Sequence, residues 1–168
     1  MKQILTDFIP GPYVGLVIEA EGDETDFLNA LINTVIDGSS YALDEEALSS
    51  EAARAEGELR EKLTADRKSI GAFCLVAGID ESKLREFCKA NLVRTALENL
   101  TITAIAEAES IQVLPADLAA YKRDYRDQYA RMLLTEPDFG DKELMDAILT
   151  RKVLNFLKTN NTMQRKGA

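Results

Sequence analysis

The sequence predicts an all-α protein of long helices, with one short extended segment near its N terminus. Three observations carry that reading. Residues 81–114 contain no glycine or proline, and Asp80 before them is a good helix N-cap. Elsewhere apolar residues return every three or four positions, the period of an amphipathic helix. Pro10, Gly11, Pro12 and Gly15 break any helix near the N terminus, beside a β-leaning run from Tyr13 to Ile18.

Taken in order, residues 1–22 form the extended segment. A strand there cannot stand alone, so it must pair or lie in a groove. Residues 23–37 read as a helix with Phe27, Leu28, Leu31, Ile32, Val35 and Ile36 on a wide stripe, stopped by Gly38. From Asp44 a second helix carries a thin stripe of Leu48, Ala52, Ala55, Leu59 and Leu63. Alanines let a neighbouring helix approach closely but bury little area, as an antiparallel hairpin arm would. That helix is expected to break at 64–66 and resume over 67–77, where Ile70, Phe73, Leu75 and Val76 are apolar, until Gly78. In the long helix after Asp80, Leu84, Phe87, Leu92, Ala96, Leu100, Ile102 and Ile105 fall on overlapping faces. Such a helix needs neighbours on both flanks and reads as a central post. A break at 110–113 precedes a helix opening at Pro115, with Leu118, Tyr121, Tyr125, Tyr129, Met132 and Leu133 along one stripe. The last helix, 141–158, offers Met145, Ile148, Leu149, Val153, Phe156 and Leu157, and the polar tail beyond Asn160 is expected to fray. The expected organisation is therefore an extended segment at 1–22, a helical domain at 23–160 and a flexible tail at 161–168.

Composition removes several classes of function. The 168 residues are 46% apolar, enough for one ordinary domain with its own core. A net charge of −9 argues against a surface that neutralises phosphates, so nucleic acid and membrane are not expected partners. The acidic runs, Asp44-Glu45-Glu46 among them, read as solvated helix faces. There is no histidine, which removes Ser-His-Asp and Cys-His catalysis and nearly all histidine metal sites. Cys74 and Cys88 are too few for a zinc set and read as buried, reduced thiols, which suits a cytoplasmic protein. No signal-peptide h-region or membrane-length apolar run is present. Asp117, Asp124 and Asp127 alternate with Lys122, Arg123 and Arg126, the pattern of an ion-paired face. With no nucleophile elbow or phosphate loop either, the expectation is no enzyme, no cofactor and no metal.

Two segments resemble a known family. Ile105-Ala106-Glu107-Ala108-Glu109-Ser110-Ile111-Gln112-Val113 is similar to the Ile-Ala-x-x-Glu-x-Ile-x-Val that ends the long helix of trigger factor, the bacterial nascent-chain chaperone. The stretch from Pro12 to Glu19 resembles that family's Gly-x-Tyr-x-Gly-Leu-x-Val-Glu linker strand. The peptide-binding core of SurA-type chaperones is related. The resemblance covers most of the chain in order: linker strand, re-entry helix, a first arm at 44–78, the post helix and a second arm at 115–160. It implies an elongated chaperone domain in which two helical arms around the long central helix line a cradle, with no cofactor. It further implies ATP-independent binding of unfolded, partly folded or nascent polypeptides through a concave apolar surface. Neither the family's ribosome-docking loop, Gly-Phe-Arg-x-Gly-x-x-Pro, nor its prolyl-isomerase domain has a counterpart here, so those activities are not carried over. Whether the chain is a reduced relative or a piece of a larger protein stays open.

On that reading the expected peptide-binding residues are Leu59, Leu63, Tyr121, Tyr125, Tyr129, Met132 and Met145. Met and aromatic side chains adapt to varied apolar segments, yet the spacing of the tyrosines and Met132 by itself favours the buried face of an amphipathic helix. A homodimer through the arms or the strand is a further expectation, since thin stripes leave surface needing cover. The alternative is an adaptor or assembly protein that uses the same fold to bind one folded partner.

Overall fold

The computed structural model describes residues 3–131 and 140–165. It bears out the all-α expectation: among the described residues six helices dominate, with two sheets of two strands each. The chain folds as two compact units, residues 1–9 with 39–100, and residues 10–38 with 101–168. These are not the consecutive segments expected from sequence, because each unit is assembled from two stretches of chain.

In the first unit, β1 (Leu5–Ile9) pairs antiparallel with β3 (Ser40–Leu43), placing Leu5 opposite Leu43 and Ile9 opposite Ser40. The register shifts between Thr6 and Ile9, where Asp7 takes a left-handed φ of 53°. β1 lies within the segment expected to be extended, although Thr6 and Asp7 interrupt its apolar pattern, whereas β3, only four residues long, was not foreseen. Asp44 then caps α2 (Glu45–Ala65), its Oδ1 accepting from the Ala47 N–H at 2.8 Å. The break expected at 64–66 falls at 66–69 instead, with Arg67 at a left-handed φ of 56°, so the next helix begins at Ile70 rather than at 67. The short helix α3 (Ile70–Ala77) is capped by Ser69 and closed by Gly78 at φ 67°, a left-handed position that glycine adopts without Cβ strain. Asp80 caps a 3₁₀ turn, Glu81–Lys83, that leads into α4 (Leu84–Ala108). Leu5, Leu48, Ala52, Leu63 and Leu84 are buried in this unit, as are the thiols of Cys74 and Cys88.

The second unit holds β2 (Val17–Ala20), α1 (Glu24–Asp37), the end of α4, α5 (Pro115–Arg131), α6 (Asp141–Asn160) and β4 (Thr162–Arg165). Asp23 caps α1 with a full capping box shared with Asp26. Its core joins Ile18 of β2, Phe27 and Leu31 of α1, Ile105 of α4, and Val153 and Leu157 of α6. The tail expected to fray instead carries β4, which runs parallel to β2 with Ile18 opposite Met163. Asn161 anchors it. Its Nδ2 donates to the carbonyls of Tyr13 (2.9 Å) and Leu157 (2.7 Å), and its Oδ1 accepts from the Leu16 N–H at 2.8 Å. One side chain thereby satisfies three backbone groups where helix gives way to strand.

The two segments that carry the family resemblance meet in this unit. The Tyr13 hydroxyl donates to Glu109 Oε1 at 2.9 Å, and the Tyr13 ring tilts against Phe156 at 6.4 Å. Gly11 lies so close to the end of α1 that a Cβ there would sit 2.5 Å from the Val35 carbonyl oxygen. The most specific sequence signal is thus architectural: it fastens the N-terminal segment to the end of α4.

Thr101 is fully buried on α4, and among the described residues its hydroxyl is without a hydrogen-bond partner. A buried unpaired hydroxyl costs about 1–3 kcal/mol. Thr101→Val keeps the shape and removes the orphan, so it is expected to raise stability by about 1 kcal/mol, read as a higher urea midpoint at unchanged slope.

Candidate peptide-binding site

The thin stripe of α2 has a structural consequence. Ala55 and Leu59 of α2 lie one turn apart, and α4 contributes Phe87, Leu92 and Ala96 to the same space. Alanine on both helices leaves room that larger side chains would fill. The result is a pocket of about 350 Å³ within the first unit, lined also by Phe73 of α3 and Ile4 before β1. Its walls are almost wholly apolar, and its volume is in the range of natural ligand sites. Phe73 and Phe87 meet edge to face, 6.0 Å between centroids at 73°, which holds both rings in place. Beside the apolar wall, Asn91, Thr95 and Asn99 stand on α4 at successive turns, each exposed and each lining the pocket.

An ion-pair chain ties α2 to the start of α4. Glu56 accepts from Arg85 Nε at 3.0 Å and from Arg60 Nε at 3.1 Å, and Arg60 Nη1 donates onward to Glu81 at 3.1 Å. Arg85 first, then Arg60, hold the Glu56 carboxyl below its ordinary value of 4.5. A carboxylate whose folded pKa is depressed contributes stability that is fully present above the unfolded pKa and is lost as pH falls through the folded one. The stability gap between the parent protein and Glu56→Gln is therefore expected to narrow as pH drops below 4.5, measured by urea unfolding at a series of pH values. Cys88, on the pocket wall, has its thiol pushed up by burial and then by the Glu56 charge, which makes it a poor nucleophile.

The expected binding residues fall in different places. Leu59 lines the pocket. Leu63, one turn on, is 8% exposed and packs inward, so its part is structural. Tyr121 in the second unit is half-buried, with the Arg151 guanidinium 5.1 Å from its ring centroid, so a cation already occupies one ring face. Met145 on α6 is 42% exposed. The side chains of Tyr125 and Tyr129, and all of Met132, lie outside the described residues. Sequence reasoning missed Phe73, Phe87, Leu92 and Ala96 as a site. Their signal was present in a long helix apolar on more than one side facing a stripe of alanines. On α3, Leu75 and Val76 point away from the protein, 82% and 90% exposed. Among the described residues, no group of three or more His, Cys, Asp or Glu could hold a metal ion, and no helix is long and apolar enough to cross a membrane.

Comparison with known proteins agrees with this architecture. No family model matches the chain. A trigger factor from Staphylococcus saprophyticus is 30% identical over 102 residues, 58% of this chain and 23% of that protein. A solved trigger factor from Thermotoga maritima, described for its domain structures and interactions, superposes with a TM-score of 0.63 at 16% identity, over 88% of this chain and 93% of that one. This chain resembles trigger factor in its chaperone-domain region. A second trigger factor structure, described for promiscuous substrate recognition in folding and assembly, gives a TM-score of 0.60 at 19% identity, covering 81% of this chain and 34% of that one. The trigger factor structures establish the fold. The chain spans about a quarter (23%) of the length of the curated trigger factor it matches.

Proposed function

We propose that this protein is a chaperone-type module that binds apolar segments of unfolded or partly folded polypeptides without ATP. The observation that carries the proposal is the 350 Å³ apolar pocket of the first unit, walled by Leu59, Phe73, Phe87 and Leu92. The likeness to trigger factor, one structure of which is described for promiscuous substrate recognition, supports it. Binding follows from mass action. Each apolar client side chain contributes roughly 1.5–3 kcal/mol when fully buried, and ordering the client offsets much of that, leaving weak and reversible association. Tyr121, Tyr125, Tyr129, Met132 and Met145 remain candidate client contacts on this reading, apart from the pocket. The reading needs no cofactor, catalysis or isomerase activity, and its setting is the cytoplasm. Nucleic acid and membrane play no part in it, and a homodimer is compatible with it.

One observation favours the alternative of an adaptor for a single folded partner. Leu75 and Val76 stand side by side on α3, almost fully exposed, an apolar pair that a bound partner would cover. The discriminating experiment is aggregation of an unrelated denatured protein at rising ratios of this chain, without ATP. Suppression near stoichiometric ratio supports the chaperone reading. A folded, monodisperse protein that leaves aggregation unchanged overturns it in favour of the adaptor.

A further inference from the structure

We propose that Asn91 and Thr95 read the backbone of an extended polypeptide segment, fixing its register so that alternate side chains enter the pocket. The inference rests on the pocket being the client site and adds which residues select the form of the client. Asn91 and Thr95 sit four residues apart on α4, about 6 Å along the helix axis. An extended chain repeats every two residues, about 6.6–6.8 Å, so the two side chains stand near the spacing of successive same-side backbone groups. Both side chains offer a donor and an acceptor, which a peptide group can meet. The pocket fits the same periodicity. At about 350 Å³ it is roughly twice the ~150 Å³ cavity that accepts one benzene, room for two apolar side chains at positions i and i+2.

Charge narrows the occupant further. The charged residues next in sequence to the pocket's lining residues are paired within the protein: Arg54 with Glu51 and Glu58, Glu56 with Arg85 and Arg60, Glu86 with Lys89, and Arg94 with Glu98. A neutral segment leaves these pairs intact, whereas a charged one competes with them. A helical client fits less well. Its backbone groups are already bonded within the helix, so Asn91 and Thr95 would lose water without gaining partners.

The test uses the full chain and two labelled, end-blocked probes: an eight-residue peptide of alternating Leu and Ser, and a helix-forming peptide of equal leucine count spaced at i, i+4. The parent protein is expected to hold the alternating peptide more tightly. Asn91→Ala with Thr95→Val is expected to weaken that complex about tenfold and to leave the helical peptide's binding unchanged. N-methylation at alternate residues of the Leu-Ser peptide is expected to cost as much, with no added loss in the double variant. Both residues are exposed, and an unchanged thermal melt certifies the fold. If Leu92→Ser weakens the alternating peptide and the double variant does not, backbone reading is overturned while the pocket stands. If neither change alters affinity, the pocket reading falls and this inference with it.

Discussion

Leu31→Ala is expected to destabilise the protein by about 3 kcal/mol, a large fraction of the 5–15 kcal/mol that holds an ordinary domain together. Leu31 lies on α1 with no exposed surface, in a cluster that also draws on Ile18, Ile105, Val153 and Leu157. Those four come from β2, α4 and α6, so the space left by the missing atoms is walled by three further elements that cannot all collapse into it. The cost therefore includes a cavity as well as lost transfer free energy. Leu28, on the same helix and only partly buried, should lose less than half as much when cut to alanine. Urea midpoints at constant slope measure both. Equal losses at the two positions would contradict this placement of the core.

Leu59→Ser combined with Leu92→Ser is expected to raise the amount of protein needed for half-suppression of aggregation by more than tenfold. Each side chain is half-buried, so each offers a client about half of its full 1.5–3 kcal/mol, roughly 2 kcal/mol for the two together. That corresponds to about a thirtyfold change in affinity. Leu75→Ser with Val76→Ser is the matched control on the outward side of α3. If the pocket holds the client, this control changes little. A partner docked on α3 gives the reverse order, which separates chaperone from adaptor in one pair of variants.

The helices were legible from the 3.6-residue period, and the first three from their caps as well. Asp23, Asp44, Ser69 and Asp80 all cap as side chains, and Gly78 closes α3 in the left-handed region. Of the strands, only the extended run leading into β2 was legible, and the pairings were not, for a physical reason. A strand is stabilised by its partner, and β1 and β3, or β2 and β4, lie far apart in sequence. Thr162–Arg165 is polar and looks frayed until Asn161 and β2 supply its hydrogen bonds. Sequence reasoning reached the pocket only through Leu59. The thin alanine stripe of α2 was visible, but an alanine reads equally as a site of close helix packing or as an opening. Only the placement of α4, with Ala96 and Leu92 on the same space as Ala55, decides between them.

The chain contains no tryptophan, so Phe87→Trp places a single reporter on the pocket wall. Titrating this variant with a reduced, tryptophan-free unfolded polypeptide tests the pocket directly. If the pocket holds the client, emission shifts to the blue and iodide quenching falls in step with complex formation. Emission and quenching that stay constant while the complex forms would place the client elsewhere and contradict the pocket as the binding site.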